Sequence, residues 1–215
     1  MVNISRLIFI VGIDGSGKSF FTEQLISELR KRQIPAVHLW SRFNNITSKP
    51  LLGLCRLLGL NYYEKHHGVL IGYHDFEKSK FISGLFVVFQ IIDLWLVTVF
   101  RLWPKMLGKK VLLCDRGAYD TLIDVMVDTK NRLLVNSFIG RAFVLPLPRN
   151  HKVFLLQRDP EKIFTSRQDV KIDKNFGLRY DLYRECAKTF GWTVIENNGT
   201  PEDTLRNLLS QLSFQ

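Results

Sequence analysis

The sequence GIDGSGKS, from Gly12 to Ser19, fits the pattern G-x-x-x-x-G-K-[ST] at every defined position. Directly before it, Leu7–Val11 is apolar throughout, as expected of a strand that is covered on both faces. Directly after it, residues 18–32 have the apolar spacing of a helix. A glycine loop between a buried strand and a helix points its backbone N–H groups inward. We therefore predict a phosphate-binding loop, or P-loop.

The residue types within the loop indicate which ligand it takes. Lys18 can bring a mobile ammonium to the β- and γ-phosphates of a nucleotide, and the hydroxyl of Ser19 can bind Mg²⁺. The positive end of the following helix adds to the attraction for anions. We predict ATP and Mg²⁺ as cofactors, held by Gly12, Asp14, Gly15, Ser16, Gly17, Lys18, Ser19 and Phe20.

Composition limits the class of protein. The chain has 215 residues, which suits a single domain over residues 1–215, and its net charge of +10 favours anionic partners. The basic residues are dispersed and their longest run is Arg30–Arg32, so we do not predict a nucleic-acid partner. The three cysteines are too few and too scattered for a disulfide framework or a zinc site. They indicate reduced thiols in a cytoplasmic protein.

Short β-rich runs alternate with helical patterns along the whole chain. After Leu7–Val11, four further runs have the composition of buried strands: residues 36–40, 111–114, 153–156 and 193–195. Such alternation is typical of a parallel sheet with helices on both faces, so we predict a three-layer α/β fold. Between the second and third strands, residues 51–60 suggest a short helix, and the stretch 61–75, rich in His, Tyr and Gly, suggests a loop.

Charged side chains follow three of the predicted strands. Asp115 and Arg116 come at the end of the third strand, where an NTPase holds its metal and a guanidinium can bind a second phosphate. The alternative for Asp115 is that it caps the next helix. Arg42 follows the second strand and is either a ligand of an acceptor phosphate or a surface charge.

A basic segment follows the fourth strand. Arg158 comes directly after the strand, and Arg167 belongs to the polar stretch behind it, at about residues 159–178. A kinase must neutralise the transferred phosphoryl group and exclude water, so we predict that this stretch is a lid over the phosphates. For Lys171 and Lys174, farther along the stretch, a solvated basic surface is the alternative.

One segment is unusually apolar. Residues 81–100 are interrupted mainly by Gln90 and Asp93, and the run is long enough to span a bilayer. A single span, however, would place the P-loop and the third strand on opposite sides of the membrane. We predict instead a helix that forms a homodimer through residues 81–103, with a membrane contact as the alternative.

Several of these landmarks together resemble the thymidylate kinase family, a branch of the P-loop nucleoside monophosphate kinases. They are Gly12–Ser19 with an Asp inside the loop, the Asp115-Arg116 pair, and a helix start Asp159-Pro160-Glu161 after the fourth strand. The resemblance extends loosely over almost the whole chain. It implies a five-stranded parallel sheet of order 2-3-1-4-5, a flexible lid and, often, a homodimer.

The resemblance also implies roles for individual residues. Asp14 would meet a sugar hydroxyl of the substrate, Arg42 and Arg116 would hold the acceptor phosphate, and Asn198 would border the adenine. The catalytic group would comprise Lys18, Asp115, Arg116, Arg158 and Arg167, with Mg²⁺ bound by Ser19 and Asp115.

The sequence departs from the family where the acceptor base is read. The segment after the second strand is Ser41-Arg42-Phe43-Asn44-Asn45 instead of a T-R-E-P-G-type loop. The apolar helix lacks the family's arginine, and Gln90 is the nearby amide that could replace it. We therefore predict phosphoryl transfer from ATP to a small-molecule acceptor, a nucleoside monophosphate with dTMP as the first choice. The alternatives are another small phosphorylated or hydroxylated metabolite, or an ATP-binding regulatory or membrane-associated module with little turnover.

Overall fold

A parallel sheet forms the centre of the protein in this computed structural model, which describes residues 5–40, 45–66 and 69–212. The strands are β1 (Leu7–Val11), β2 (Ala36–Trp40), β3 (Asn61–His66), β4 (Val69–His74), β5 (Val111–Asp115), β6 (Lys152–Gln157) and β7 (Thr193–Glu196). The five-stranded sheet has the order β2-β5-β1-β6-β7, and all its neighbours are parallel. Counted over these five strands alone, this is the predicted order 2-3-1-4-5, which is confirmed.

Helices cover the sheet. They are α1 (Lys18–Lys31), α2 (Lys49–Leu57), α3 (Lys80–Val97), α4 (Trp103–Met106), α5 (Ala118–Thr129), α6 (Phe138–Val144), α7 (Pro160–Ser166), α8 (Gln168–Lys171), α9 (Phe176–Phe190) and α10 (Pro201–Gln211). A π-helical turn, Thr98–Leu102, joins α3 to α4. The sequence signals at two helix ends work as expected. Thr200 Oγ1 accepts from the backbone N–H of Asp203, and Gly191 ends α9 with a positive φ of 66°.

The apolar character of β1 follows from the two layers of helices. Alternate side chains point to opposite faces of a strand. Leu7, Phe9 and Val11 enter a core shared with α3, α5 and α9, whereas Ile8 and Ile10 enter a core shared with α1 and α10. Because both faces are buried, no position in β1 can be polar. The predicted three-layer architecture is confirmed.

The segment that was expected to be a loop, residues 61–75, is a β-hairpin. Its strands β3 and β4 pair antiparallel, with Asn61 opposite His74 and His66 opposite Val69. The prediction was wrong because polar and aromatic residues in this stretch hide the period of two that identifies a strand. Cross-strand pairing and packing stabilise it instead: Tyr73 is buried, and Phe76 directly after the hairpin is fully buried.

The apolar helix α3 contains a buried acid, Asp93, which holds the segment before α2. The Asp93 carboxylate accepts from the backbone N–H groups of Ile46 (3.0 Å), Thr47 (2.6 Å) and Ser48 (3.1 Å), and from the Ser48 hydroxyl (2.6 Å). Although burial favours the neutral acid, these hydrogen bonds hold the pKa of Asp93 below its usual value. The helical run Lys80–Met106 is long and apolar enough to cross a membrane by composition alone. These contacts bind it instead to the segment before α2.

Removing the Asp93 carboxylate should therefore destabilise the fold. We expect Asp93→Ala to lower the free energy of unfolding by about 2–4 kcal/mol, because several backbone N–H donors lose a charged acceptor. Urea unfolding of the purified protein measures this, and Asp181→Ala, at an exposed position on α9, is the matched control. Equal stability of the Asp93 variant and the wild type would contradict the assigned role.

Candidate active site

The P-loop lies at the carboxyl edge of the sheet, between the end of β1 and the start of α1. Gly12 has a φ of +151°, and a Cβ at this position would lie 2.7 Å from the carbonyl oxygen of Leu156 on β6. Gly15 has a φ of +86°, and a Cβ there would lie 2.7 Å from Ile163 Cγ2 on α7. Only glycine fits either place without displacing its neighbours, so the loop backbone can lie this close to β6 and α7.

Lys18 points into the P-loop rather than into solvent. Its ammonium donates to the carbonyl oxygen of Ile13 at 2.8 Å and lies 3.5 Å from Asp14 Oδ1. Burial lowers the pKa of Lys18, and the Asp14 carboxylate opposes that shift. A buried cation interacts more strongly with an anion than an exposed one does, because less water screens it. The position therefore suits a phosphate ligand.

Asp115 and Ser19 form the candidate metal site. Ser19 Oγ donates to Asp115 Oδ2 at 2.5 Å, which joins the start of α1 to the end of β5. Asp115 Oδ1 and the hydroxyl of Ser16 in the P-loop are both buried without a hydrogen-bond partner among the described residues. Since buried polar atoms are nearly always paired, these two atoms fit a cation and a phosphate oxygen, respectively. Mg²⁺ at Asp115 and Ser19 would neutralise charge on the bound phosphates.

The candidate metal site does not by itself provide a full set of protein ligands. Within the described ranges, no group of three or more His, Cys, Asp or Glu side chains could hold a metal ion. This agrees with Mg²⁺ chemistry in phosphoryl transfer, in which one or two protein ligands combine with substrate phosphates and water. The alternative role of Asp115 as a helix cap is filled by Asp120, whose Oδ2 accepts from the backbone N–H of Gly117 at 3.0 Å.

Arg116 is held beside the P-loop by a strained backbone. Its φ of +68° lies in the left-handed region, which is unusual for a residue other than glycine and costs about 1–3 kcal/mol. The guanidinium forms an ion pair with Asp14 across the site. Burial would lower the pKa of Arg116, but the Asp14, Asp120 and Asp115 carboxylates raise it on balance. The predicted phosphate-binding arginine thus lies next to the P-loop.

Arg158 and Arg167, the two candidate arginines after the fourth strand, both lie beside the P-loop. Arg158 Nη1 donates to the carbonyl oxygen of Gly15 at 3.2 Å. Arg167 forms a two-point ion pair with Asp169 at 2.8 and 2.7 Å, and its Cγ would be 3.6 Å from a Cβ at Gly15. The segment 159–178 begins with α7 and α8 and reaches the first turn of α9. That it opens and closes stays a prediction.

Lys174, in the same segment, binds the hairpin rather than the P-loop. Its ammonium donates to Tyr62 Oη and to Glu64 Oε1, each at 2.9 Å, and lies 3.9 Å from the centre of the Tyr73 ring. The two hydrogen bonds raise the pKa of Lys174. The β3–β4 hairpin therefore contacts the end of the segment 159–178. Lys171 is exposed at the end of α8.

Three further predicted site residues are Asn198, Phe20 and Arg42. Asn198 Oδ1 accepts from the backbone N–H of Asp159 at 2.9 Å, so it joins the loop after β7 to the start of α7. Its neighbour Asn197 contacts the P-loop through a 2.8 Å bond from Nδ2 to the carbonyl oxygen of Ser16. Phe20 is half-exposed in the first turn of α1. Arg42 lies outside the described residues.

Gln90 is buried within a network of its own. Its amide nitrogen donates to Asn45 Oδ1 at 2.8 Å and to Ser48 Oγ at 3.2 Å, which uses both of its N–H groups. To read an acceptor base with this amide nitrogen, Gln90 would have to release one of these partners. These bonds favour a role for Gln90 in positioning the segment around Asn45. That Gln90 contacts a substrate stays a prediction.

Sequence reasoning missed a pair of buried acids on α5. The Asp120 carboxylate accepts from Tyr183 Oη at 2.6 Å, and Asp124 forms an ion pair with Arg179; both partners lie on α9. Burial raises the pKa of Asp120, and the hydrogen bond from Tyr183 opposes that shift. The available signal was their spacing: Asp120 and Asp124 lie four residues apart on a mostly apolar helix, which places them on one face.

Comparison with solved structures shows that the chain has the fold of a thymidylate kinase. It is similar to the thymidylate kinase from Ehrlichia chaffeensis with a TM-score of 0.55, and the match covers 96% of this chain and 97% of that one. The sequences are 15% identical, so the similarity concerns the fold. No protein-family model and no curated protein matches the sequence.

Proposed function

We propose that the protein is an ATP- and Mg²⁺-dependent kinase that transfers the γ-phosphoryl group to a nucleoside monophosphate, with dTMP as the first choice. One observation carries this proposal: the buried Asp115 accepts a hydrogen bond from Ser19 at the start of α1, while its second carboxylate oxygen has no hydrogen-bond partner among the described residues. The thymidylate kinase fold supports the same class of reaction. Such a kinase would require the acceptor to bind beside Arg116 and Asp14.

The residues around the P-loop suit direct, in-line transfer without a covalent enzyme intermediate. Lys18 and Arg116 would neutralise charge that develops on the transferred group, and Arg158 would add charge from the lid side. The lid would also exclude water, which would otherwise accept the phosphoryl group. Most of the rate enhancement would then come from positioning and charge neutralisation.

Acceptor-dependent release of ADP tests the proposal. The purified protein is incubated with ATP and Mg²⁺ and with each of a panel of monophosphates and small hydroxylated metabolites, and ADP is measured with and without acceptor. A kinase releases ADP fast with at least one acceptor. A regulatory module would show slow hydrolysis that no acceptor increases, and that result would overturn the proposal.

We expect the preference for dTMP to be weak. Lys18 and Arg116, which would bind phosphate, lie at the P-loop. The helix that would read the base, however, lacks the family's arginine. Gln90, which could replace it, is already bonded to Asn45 and Ser48. Leaving a base carbonyl without a hydrogen-bond donor costs about 1–3 kcal/mol of binding free energy. We therefore expect kcat/KM for dTMP to exceed that for dUMP or CMP by less than about tenfold. Steady-state kinetics across the panel measures this. An exclusive preference for dTMP would mean that another residue reads the base.

Two further expectations accompany the kinase proposal. A homodimer through residues 81–103 and a cytoplasmic location both stay predictions from the sequence and the family resemblance. Light scattering of the purified protein measures the oligomeric state directly.

A further inference from the structure

The outward side of α3, the π turn, α4 and α6 is apolar and exposed. Its most exposed side chains include Phe81 (74%), Phe100 (71%), Leu107 (88%) and Phe138 (84%). We call this surface the apolar face. An exposed apolar patch that extends over several helices marks an interaction site in most soluble proteins.

The apolar face is continuous because the elements carrying it are fixed to one another. Along α3 and into the π turn, the exposed residues Val88, Ile92, Trp95 and Val99 recur every three or four positions. The π turn, with its wider spacing, exposes Phe100 beside Val99, and the stripe continues into α4. The α6 segment is fixed alongside, because Trp95 Nε1 donates to the carbonyl oxygen of Ala142 at 2.8 Å. Trp103 Nε1 donates in the same way to Pro146 at 3.0 Å.

A groove between α3 and α6 belongs to the same surface. It has a volume of about 790 Å³, and its lining includes Val88, Ile91, Phe138 and Ile139. Lys80 and Lys130 lie at its polar margin together with Glu77. The apolar face therefore contains a groove as well as protruding side chains, and two of the three charged residues that line the groove are lysines.

The charge around the apolar face is predominantly basic. Between residues 80 and 150, all of which the structure describes, every exposed charged side chain is basic. The acids of this stretch are turned inward: Asp93, Asp115, Asp120 and Asp124 are buried, and Asp128 is half-buried. The exposed bases include Lys80, Lys105, Lys109, Arg141 and Arg149. The stretch of chain that carries the exposed apolar surface thus exposes only positive charges.

We propose that the apolar face docks on the surface of an anionic lipid bilayer, with α3 lying along the membrane plane. Apolar side chains that enter the headgroup boundary, bordered by Lys and Arg side chains that reach anionic headgroups, are what such a contact requires. The helix does not span the bilayer, because its other side packs on the core through Phe86 and Leu94 and holds Ser48 through Asp93.

The charge pattern favours lipid over a second copy of the chain. In a two-fold symmetric dimer the same patch meets itself, so the basic residues around one apolar face would approach those of the other. Within residues 80–150 the exposed charged side chains are all basic, and Glu77 adds one acid at the edge of the groove. An anionic bilayer supplies the missing negative charge across the whole surface.

Vesicle flotation of the purified full-length chain tests the proposal. Vesicles of phosphatidylcholine alone are compared with vesicles in which part of that lipid is replaced by phosphatidylglycerol. We expect flotation with the anionic vesicles only, and loss of flotation at high salt. The double variant Lys105→Glu/Lys109→Glu should lower binding about tenfold or more, because two attractions become repulsions. Phe100→Ser/Leu107→Ser should lower binding at equal charge.

The control is the double variant Arg184→Glu/Lys188→Glu, which changes the net charge equally at exposed positions on α9. It should float like the wild type. Equal loss in both charge variants would mean non-specific attraction of a basic protein and would overturn the proposal. Absence of flotation would overturn it too, and a stable dimer in light scattering would then identify a second copy as the occupant of the apolar face.

Discussion

Replacing Lys18 with alanine is expected to lower kcat by about 10²-fold or more. The ammonium of Lys18 lies inside the P-loop, 2.8 Å from the carbonyl oxygen of Ile13, where a γ-phosphoryl group would gain negative charge during transfer. Its loss removes an interaction that acts mainly in the transition state. Acceptor-dependent ADP release under saturating ATP measures the effect.

Because Lys18 is buried, its removal needs a structural control. Lys18→Met keeps most of the side-chain volume and should lose as much activity as Lys18→Ala, with an unchanged circular dichroism spectrum. Lys31→Ala, at the exposed end of the same helix, should leave kcat unchanged. If both Lys18 variants turned over at the wild-type rate, the P-loop would have no part in the mechanism.

Asp115→Asn is expected to raise the Mg²⁺ concentration needed for half-maximal activity by about tenfold or more, because Mg²⁺ prefers charged oxygen ligands. The amide keeps the shape of the carboxylate, and its oxygen can still accept from Ser19 Oγ, so the contact between α1 and β5 should survive. A magnesium titration of kcat measures the change.

A second readout separates metal binding from catalysis. Calorimetric titration of Mg²⁺ with a non-hydrolysable ATP analogue should give weaker binding to Asp115→Asn than to the wild type. Asp181→Asn, at an exposed position on α9, is the control and should bind normally. A titration curve for Asp115→Asn that matches the wild type would exclude this carboxylate from the metal site.

The sheet and the P-loop were predictable because their signals are local. A strand buried on both faces, such as Leu7–Val11, must be apolar throughout, and the glycine loop has a fixed spacing. Asp115 was predictable for the same reason, since the end of a buried strand is readable along the chain. Arg158 was found in the same way, directly after β6.

The rest depended on contacts between distant residues. The hairpin at 61–74 contains polar and aromatic residues whose partners, including Lys174, come a hundred residues later. Gln90 was expected to face a substrate, and its bonds to Asn45 and Ser48 could not be read from an apolar helix. The Asp120–Tyr183 bond likewise joins two helices with no local signal that pairs them.

The position of β1 at the centre of the sheet has a consequence for how the protein is made. Leu7 pairs with Leu112 on one side, and Ile8 pairs with Lys152 on the other. A ribosome therefore releases the P-loop long before either neighbouring strand exists, and closing such long loops makes folding slow. Until β6 emerges, the apolar strand β1 lacks one of its two neighbours and is open to chaperones and to other nascent chains. Nascent fragments that end before residue 152 should be unable to retain ATP, whatever motif they carry.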